Sequence, residues 1–276
     1  MRKSRFFGMH AKPTAFMQRV LPLIPFVLLV MVYLWASHLR LEANPSDKLL
    51  PSLSQMGDAM YRYMFVADPR TGSYMFLSDT LASLYRLGMG IGLAMMFGLW
   101  LGLNMGIFPG MSAVLLAFIT FVSIIPPLAI LPMLFITVGT DEAAKITLIF
   151  IGTAFIITRN VYKETRDIPR ELLVKALTLG ATQLQVVYRV VLPQILPRLI
   201  DVTRVCLGGA WLFLIAAEAI ASSEGLGYRI FLVRRYLAMN VIIPYVLWIT
   251  FLGFAFDWVL RQVNARVFPW YAPTQK

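Results

Sequence analysis

The side chains able to do covalent or metal chemistry are few and scattered. Cys206 is the only cysteine and His10 and His38 are the only histidines, so neither an intrachain disulfide nor a Cys/His zinc set is available. A membrane-bound enzyme would need a His, Cys or paired-carboxylate cluster near the interface, and no segment offers one. Gly139 to Thr147 reads GTDEAAKIT, the outline of a phosphate-binding loop. Such a loop requires Gly directly before its Lys and Ser or Thr directly after it, and here Ala144 and Ile146 stand in those places. What remains is Glu218 and Arg86, ionisable residues within apolar runs. An intramembrane acid is a functional candidate by default, whereas an arginine near a span end is expected to snorkel to the headgroups.

The elements that hold these residues must be membrane helices. The 276 residues are 59% hydrophobic and 14% charged, and the mean hydropathy is +0.72. A water-soluble domain carries about 25% charged residues. The length accommodates about six spans of roughly 20 residues in one membrane domain. The net charge of +11 is then topological information and does not point to nucleic acid.

Residues 1–19 carry Arg2, Lys3, Arg5, Lys12 and Arg19 with no acid, and a first span follows over 20–38. Residues 39–79 form an outer segment of near-neutral charge. Within it Met56, Met60, Tyr63 and Met64 recur at helical spacing, which predicts a short helix, either lying at the surface or packed on the bundle. The second span, about Thr80 to Ile107, bears Gly88 and Gly92, then Gly98, Gly102 and Gly106, a small-residue stripe for close helix packing. The third, Met111 to Val138, is interrupted by Pro126, Pro127 and Pro132. Their missing N–H groups free the carbonyls of Val122, Ser123 and Leu128 and predict a mid-membrane break. That break, with Thr120 and Ser123 before it, either lines a solute path or is a structural kink.

Further spans are expected over about Ala143–Thr158, Val205–Ala221 and Val241–Leu260, with a tail at 263–276. Sixteen of the 25 basic residues fall in the N-terminal segment, in Arg159–Arg204 and after the last span. This asymmetry puts both termini in the cytoplasm. Between the fourth and fifth spans, Pro169 stands at a helix start and Arg170–Leu179 has helical composition. Gly180 interrupts, Ala181–Val191 resumes, and Pro193 and Pro197 mark an exit.

Gly180-Ala181, Val191-Leu192-Pro193 and Pro197 resemble the EAA loop of the membrane subunits of bacterial ATP-binding cassette importers. In that loop Glu-Ala-Ala precedes the glycine by six residues; here the places hold Val174, Lys175 and Ala176, of which only Ala176 matches. The run from Ile125 to Pro132, the Ala217-Glu218 pair and the loop Ser223 to Tyr228 resemble the branch importing nitrate, sulfonates and taurine. The likeness covers roughly 80–262, and residues 1–79 match only in layout and in Leu50-Pro51-Ser52.

The resemblance implies an all-α polytopic protein of six transmembrane helices with the importer permease fold, multi-pass in the bacterial inner membrane. A coupling loop within 162–200 would dock on the ATP-hydrolysing subunit through Glu171, Lys175, Ala176, Leu179, Gly180, Ala181, Thr182 and Gln183. Thr120, Ser123, Pro126, Pro127 and Glu218 would belong to the solute pathway or gate. Similar Ala-Glu pairs occur in relatives carrying anions, which favours Glu218 as a gate or as the partner of a residue such as Arg86 over direct solute contact. The chain itself binds no cofactor, with ATP and magnesium in the partner. The implied partners are two ATP-binding subunits, a second permease copy, a periplasmic or lipid-anchored solute-binding protein and membrane lipid, with no nucleic acid. The solute is a small polar or anionic molecule. The rival from another class is a secondary transporter or channel independent of ATP.

Overall fold

The computed structural model describes residues 14–45, 47–69 and 72–271, so Arg2, Lys3, Arg5, His10 and Lys12 and Lys276 of the tail lie outside the described residues. Within them the regular structure is helical and contains no strand. Five helices are long and apolar enough to cross a membrane, and one sharply bent pair makes a sixth candidate.

The first span is built from α1 (Ala15–Val20), one tight turn at Leu21–Leu23 and α2 (Ile24–Ala43). Its apolar side chains are almost all exposed, as a lipid-facing rod requires. Near its far end Tyr33 Oη donates to the Pro51 carbonyl at 2.7 Å and Ser37 Oγ to that of Leu50 at 3.0 Å. Helix α3 (Leu53–Phe65) opens with a reciprocal capping box between Ser52 and Gln55. It buries Met56 and Ala59 and packs Met60 and Tyr63 on the core, so it is a helix of the bundle.

The centre of the bundle is the pair α4 (Met75–Ile107) and α7 (Glu142–Arg166). A Cβ built on Gly90 would come within 2.6 Å of Ile149, one on Gly98 within 2.5 Å of Ile157, and one on Gly102 within 2.7 Å of the Thr158 carbonyl. These glycines let the two backbones approach where the bilayer supplies no hydrophobic drive for association. Gly88 and Gly92 do not share that role: a Cβ on either meets nothing within 4 Å. The contact face follows a four-residue spacing from Gly106, Gly102 and Gly98 back through buried Ala94 to Gly90, and Gly88 and Gly92 lie two residues out of that register.

The same contacts pair rising numbers with rising numbers, so α4 and α7 run parallel. The intervening α5 (Pro109–Ile124) and α6 (Pro127–Thr137) must therefore carry the chain back across the bundle. They meet at 94°, where Ile125 and Pro126 adopt extended ψ values of 124° and 117°. Such values are expected of residues that precede proline. Pro132 remains inside α6. The carbonyl of Val122 is not free, because Ile125 N–H reaches it at 3.1 Å in a tight turn that closes α5.

After α7 come α8 (Arg170–Thr178) and α9 (Gln183–Val186), then one wide five-residue turn at Val187–Val191, α10 (Leu192–Ile220), α11 (Leu226–Arg234) and α12 (Met239–Val267). The expected proline exit is replaced by a helix that runs on from Leu192 to Ile220. In the wide turn Leu192 N–H bonds the Val187 carbonyl, so Pro193 falls at the start of a new helix, where its missing N–H costs nothing. Arg198–Glu164 at one end of α10 and Arg86–Glu218 at the other make α10 antiparallel to α7 and its parallel neighbour α4, and Arg204–Asp257 together with the Asn264–Pro197 hydrogen bond makes α12 antiparallel to α10.

Candidate functional site

Two polar constructions stand at opposite ends of the bundle. At the Arg166 end, α8 stops at Leu179 and Gly180 takes φ +88°. Ala181 N–H reaches the Ala176 carbonyl at 3.1 Å and Gly180 N–H that of Leu177 at 3.0 Å, the paired bonds of a Schellman cap. Two residues on, Thr182 and Gln185 form a capping box: Gln185 N–H donates to Thr182 Oγ1 at 3.3 Å and Thr182 N–H to Gln185 Oε1 at 2.9 Å. Stop and restart are thus both hydrogen-bonded, so the turn is stiff. Ala176 and Ala181 pack against the core cluster that includes Val186, Val187 and Ile195. Leu179 points out with 87% of its surface exposed, beside exposed Leu177 and Leu184. Glu171 lies in the first turn of α8 and Lys175 in its last, each on the side of the helix dipole that suits its charge. Gln183 opens α9. The eight residues expected of a coupling loop run from the first turn of α8 through the capped turn to the start of α9.

At the Glu142 end, charge is buried. Arg86, 1% exposed, donates from Nη1 to Glu218 Oε1 at 2.7 Å and from Nη2 to Glu142 Oε1 at 2.8 Å. The snorkelling expected of Arg86 does not occur, because Glu218 and Glu142 satisfy its guanidinium inside the protein. Lys145 Nζ adds a second contact to Glu142 at 2.8 Å.

The carboxylates also receive a row of backbone amides. Gly225 N–H reaches Asp79 Oδ1 at 2.9 Å, Leu226 N–H reaches Ser83 Oγ at 2.9 Å, and Gly227 N–H reaches Glu218 Oε2 at 2.8 Å. These amides begin α11, and the first N–H groups of a helix lack intrahelical partners. Two buried carboxylates, Asp79 and Glu218, and the Ser83 hydroxyl satisfy them at the positive end of the helix dipole. Asp79 is completed by Arg229 Nε at 2.8 Å and Tyr245 Oη at 3.2 Å. Four long helices and the start of α11 are thereby locked together.

The glycines of the Ser223–Tyr228 loop are needed for this approach. A Cβ on Gly225 would stand 2.5 Å from Glu218 Cδ, and one on Gly227 2.7 Å from the Ile215 carbonyl. Helix α4, with 33 residues, is about 50 Å long at 1.5 Å per residue. That exceeds a hydrocarbon core of about 30 Å, so its Asp79–Arg86 end sits toward an interface. Glu218 is likewise within the last turn of α10.

Thr120 and Ser123 lie half-buried on α5, with Ser123 Oγ bonded to the Thr120 carbonyl at 2.8 Å. Pro126 and Pro127 form the 94° elbow. Glu218 is 0% exposed, and no hydrogen bond joins it to these four residues. It offers no surface to a solute in this conformation. Asp79, Ser83, Arg229 and Tyr245 had not been singled out from the sequence. The signal was present: Asp79, Ser83 and Arg86 recur at i, i+4 and i+7, a polar stripe on one face of an apolar helix. Among the described residues no group of His, Cys, Asp and Glu could hold a metal ion.

Residues 90–269 match the family described as binding-protein-dependent transport system inner membrane component. The taurine transport system permease protein TauC of Escherichia coli (strain K12) is 31% identical over 194 residues, 70% of each chain. The bicarbonate transport system permease protein CmpB of Synechococcus elongatus is 30% identical, over 67% of this chain and 70% of its own length. Among solved structures, the inward-facing MetNI methionine ABC transporter aligns with a TM-score of 0.57 at 22% identity, over 72% of this chain and 99% of that one. A bacterial alginate ABC transporter, in complex with an alginate pentasaccharide-bound periplasmic protein, aligns at 0.60 with 14% identity over 91% and 96%. These last two establish a shared fold.

Proposed function

This chain belongs to the family of binding-protein-dependent transport system inner membrane components, and on that premise we propose how its two ends divide the work of transport. The chain is the multi-pass permease of an ATP-driven importer in the inner membrane; it does no bond chemistry, and ATP is hydrolysed in a partner subunit. An ATP-independent transporter or channel is thereby set aside.

The Arg166 end faces the cytoplasm in our reading, with both termini on that side, 39–79 outside and 80–262 as the transport core. The turn from Glu171 to Gln183 docks on the ATPase. The single observation carrying this assignment is the doubly capped turn around Gly180, which presents Leu179 with 87% of its surface uncovered. A stiff lever with an apolar tip suits transmission of a partner's movement. Two permease chains, two ATP-binding subunits and an external solute-binding protein complete the machine. ATP and magnesium belong to the ATPase, and this chain binds no cofactor. Thr120, Ser123 and the Pro126–Pro127 elbow border the solute path, and Glu218 acts as the fixed point of an outer gate. Relatives named for taurine, aliphatic sulfonates and bicarbonate support a small polar or anionic solute.

Co-purification tests the reading. The gently extracted permease, co-expressed with its genomic neighbours, is expected to bring down an ATPase, and Leu179→Asp is expected to weaken that association. An intact permease that never retains an ATPase would refute the docking role.

A further inference from the structure

Behind the coupling turn a trough opens between α8, the last turn of α7 and the elbow joining α4 to α5. Its outer half has a volume of about 470 Å³ and is lined by Arg166 and Arg170 together with Ile107, Leu173 and Val174. The inner half, about 290 Å³, continues over Leu177, Val186 and Val187. Ile107, Leu173 and Leu177 line both halves, so the two are continuous. No carboxylate lines either half.

Arg166 and Arg170 are the arginines that line the trough. Arg198 is paired with Glu164, and Arg204 with Asp201 and Asp257. Arg166 and Arg170 have no ion-pair or side-chain hydrogen-bond partner among the described residues. Two free guanidiniums at the mouth of an apolar trough complement an amphiphile with a phosphate head. Guanidinium forks bind phosphate oxygens bidentately, and basic pockets between membrane helices on the cytoplasmic side collect anionic headgroups.

The depth also fits. Helix α5 starts at Pro109 and soon exposes Val114, Phe118 and Phe121 to lipid. On α7 the first basic residue of the end is Arg159, and Arg166 lies about 10 Å further along the helix. The trough therefore straddles the boundary where lipid headgroups lie.

We propose that this trough is a binding site for an anionic phospholipid, with the phosphate held by Arg166 and Arg170 and an acyl chain laid over Leu173, Leu177, Val186 and Val187. The lipid fills the space behind α8 and braces the turn that carries Gly180. This proposal rests on the reading of the Arg166 end as cytoplasmic.

The test uses the permease purified with its ATPase, delipidated in detergent and titrated with phosphatidylglycerol, phosphatidylcholine or inorganic phosphate while native mass spectrometry counts bound molecules. The wild-type complex is expected to take up phosphatidylglycerol in preference to phosphatidylcholine. The Arg166→Gln/Arg170→Gln double variant should bind it about thirtyfold more weakly, from the loss of two charges near the surface. Leu173→Trp, which fills the trough and leaves both arginines, should weaken it as well, and inorganic phosphate should not compete. Equal uptake of the two lipids, equal uptake by wild type and the double variant, or an unchanged Leu173→Trp together with displacement by phosphate would each overturn the proposal. Lipid bound to the permease alone but expelled by the ATPase would assign the trough to that subunit instead. Failure of the ATPase to co-purify is a separate result, which strikes the importer reading and leaves lipid binding to be read on the permease itself.

Discussion

Arg86 on α4 and Glu218 on α10 meet 2.7 Å apart in an ion pair that solvent does not reach. The two residues are 132 positions apart in the chain, and each also serves a second purpose. Arg86 reaches the Glu224 carbonyl at 2.9 Å, while Glu218 receives Ser83 Oγ at 2.8 Å and the Gly227 amide at 2.8 Å. The pair thus fixes the loop between α10 and α11 to the parallel helices α4 and α7. Movement of that loop in a transport cycle requires these bonds to break together or to travel as one body.

Removing one partner should be costly. Glu218→Ala leaves Ser83, the Gly227 amide and part of Arg86 unsatisfied in a buried place, and a broken buried pair costs about 3–5 kcal/mol. A marked fall in the thermal unfolding temperature of the detergent-solubilised protein is expected. The Arg86→Met/Glu218→Met double variant should recover part of the loss, since it removes both charges. A single variant as stable as the parent would contradict the lock.

Gly225→Ala should disturb the same lock without altering any charge. Its Cβ would stand 2.5 Å from Glu218 Cδ and 2.7 Å from Arg86 Nη1, at a backbone φ of +122°. Strain of that kind costs roughly 1–3 kcal/mol before the collision is counted. Thermal unfolding in detergent would register it, and a neutral result would mean that the loop sits elsewhere.

The glycines of α4 should divide into two classes. Gly98→Ala forces its methyl group to within 2.5 Å of Ile157 and should lower the unfolding temperature. Gly88→Ala meets open space and removes a flexible residue from a helix interior, a change worth about 0.5–1 kcal/mol in favour of the folded state. Equal effects at the two positions would contradict the observed α4–α7 register.

Much of this was legible in the residues, and the failures have identifiable causes. Apolar run lengths and charge asymmetry carry a six-span reading because each is local to the chain. Gly180 followed by Thr182 and Gln185 encodes the doubly capped turn locally as well. The location of Arg86 was not local: snorkelling is the right expectation for an isolated helix, and only the return of α10 brings Glu218 to it. The spacing of Asp79, Ser83 and Arg86 was a local clue to a buried polar face. The exit expected at Pro193 failed because a single wide turn at Val187–Val191 absorbs the proline, and no residue type marks such a turn in advance. Gly88 and Gly92 misled because they are four apart from each other but two residues out of register with Gly90, Gly98 and Gly102, the set that meets α7.

The central claim is that the capped turn at Gly180 transmits ATP hydrolysis to the membrane helices, and the number of solute molecules imported per ATP hydrolysed, measured in proteoliposomes with the ATPase and binding protein, tests it most directly. Gly180 holds φ +88° with open space around it, so Gly180→Val strains the turn by roughly 1–2 kcal/mol without a collision, whereas Gly180→Asn tolerates the conformation better. The account predicts that Gly180→Val inserts and assembles normally but hydrolyses ATP with little import, and that Gly180→Asn retains most of the coupling. An unchanged ratio of import to hydrolysis in Gly180→Val would contradict it.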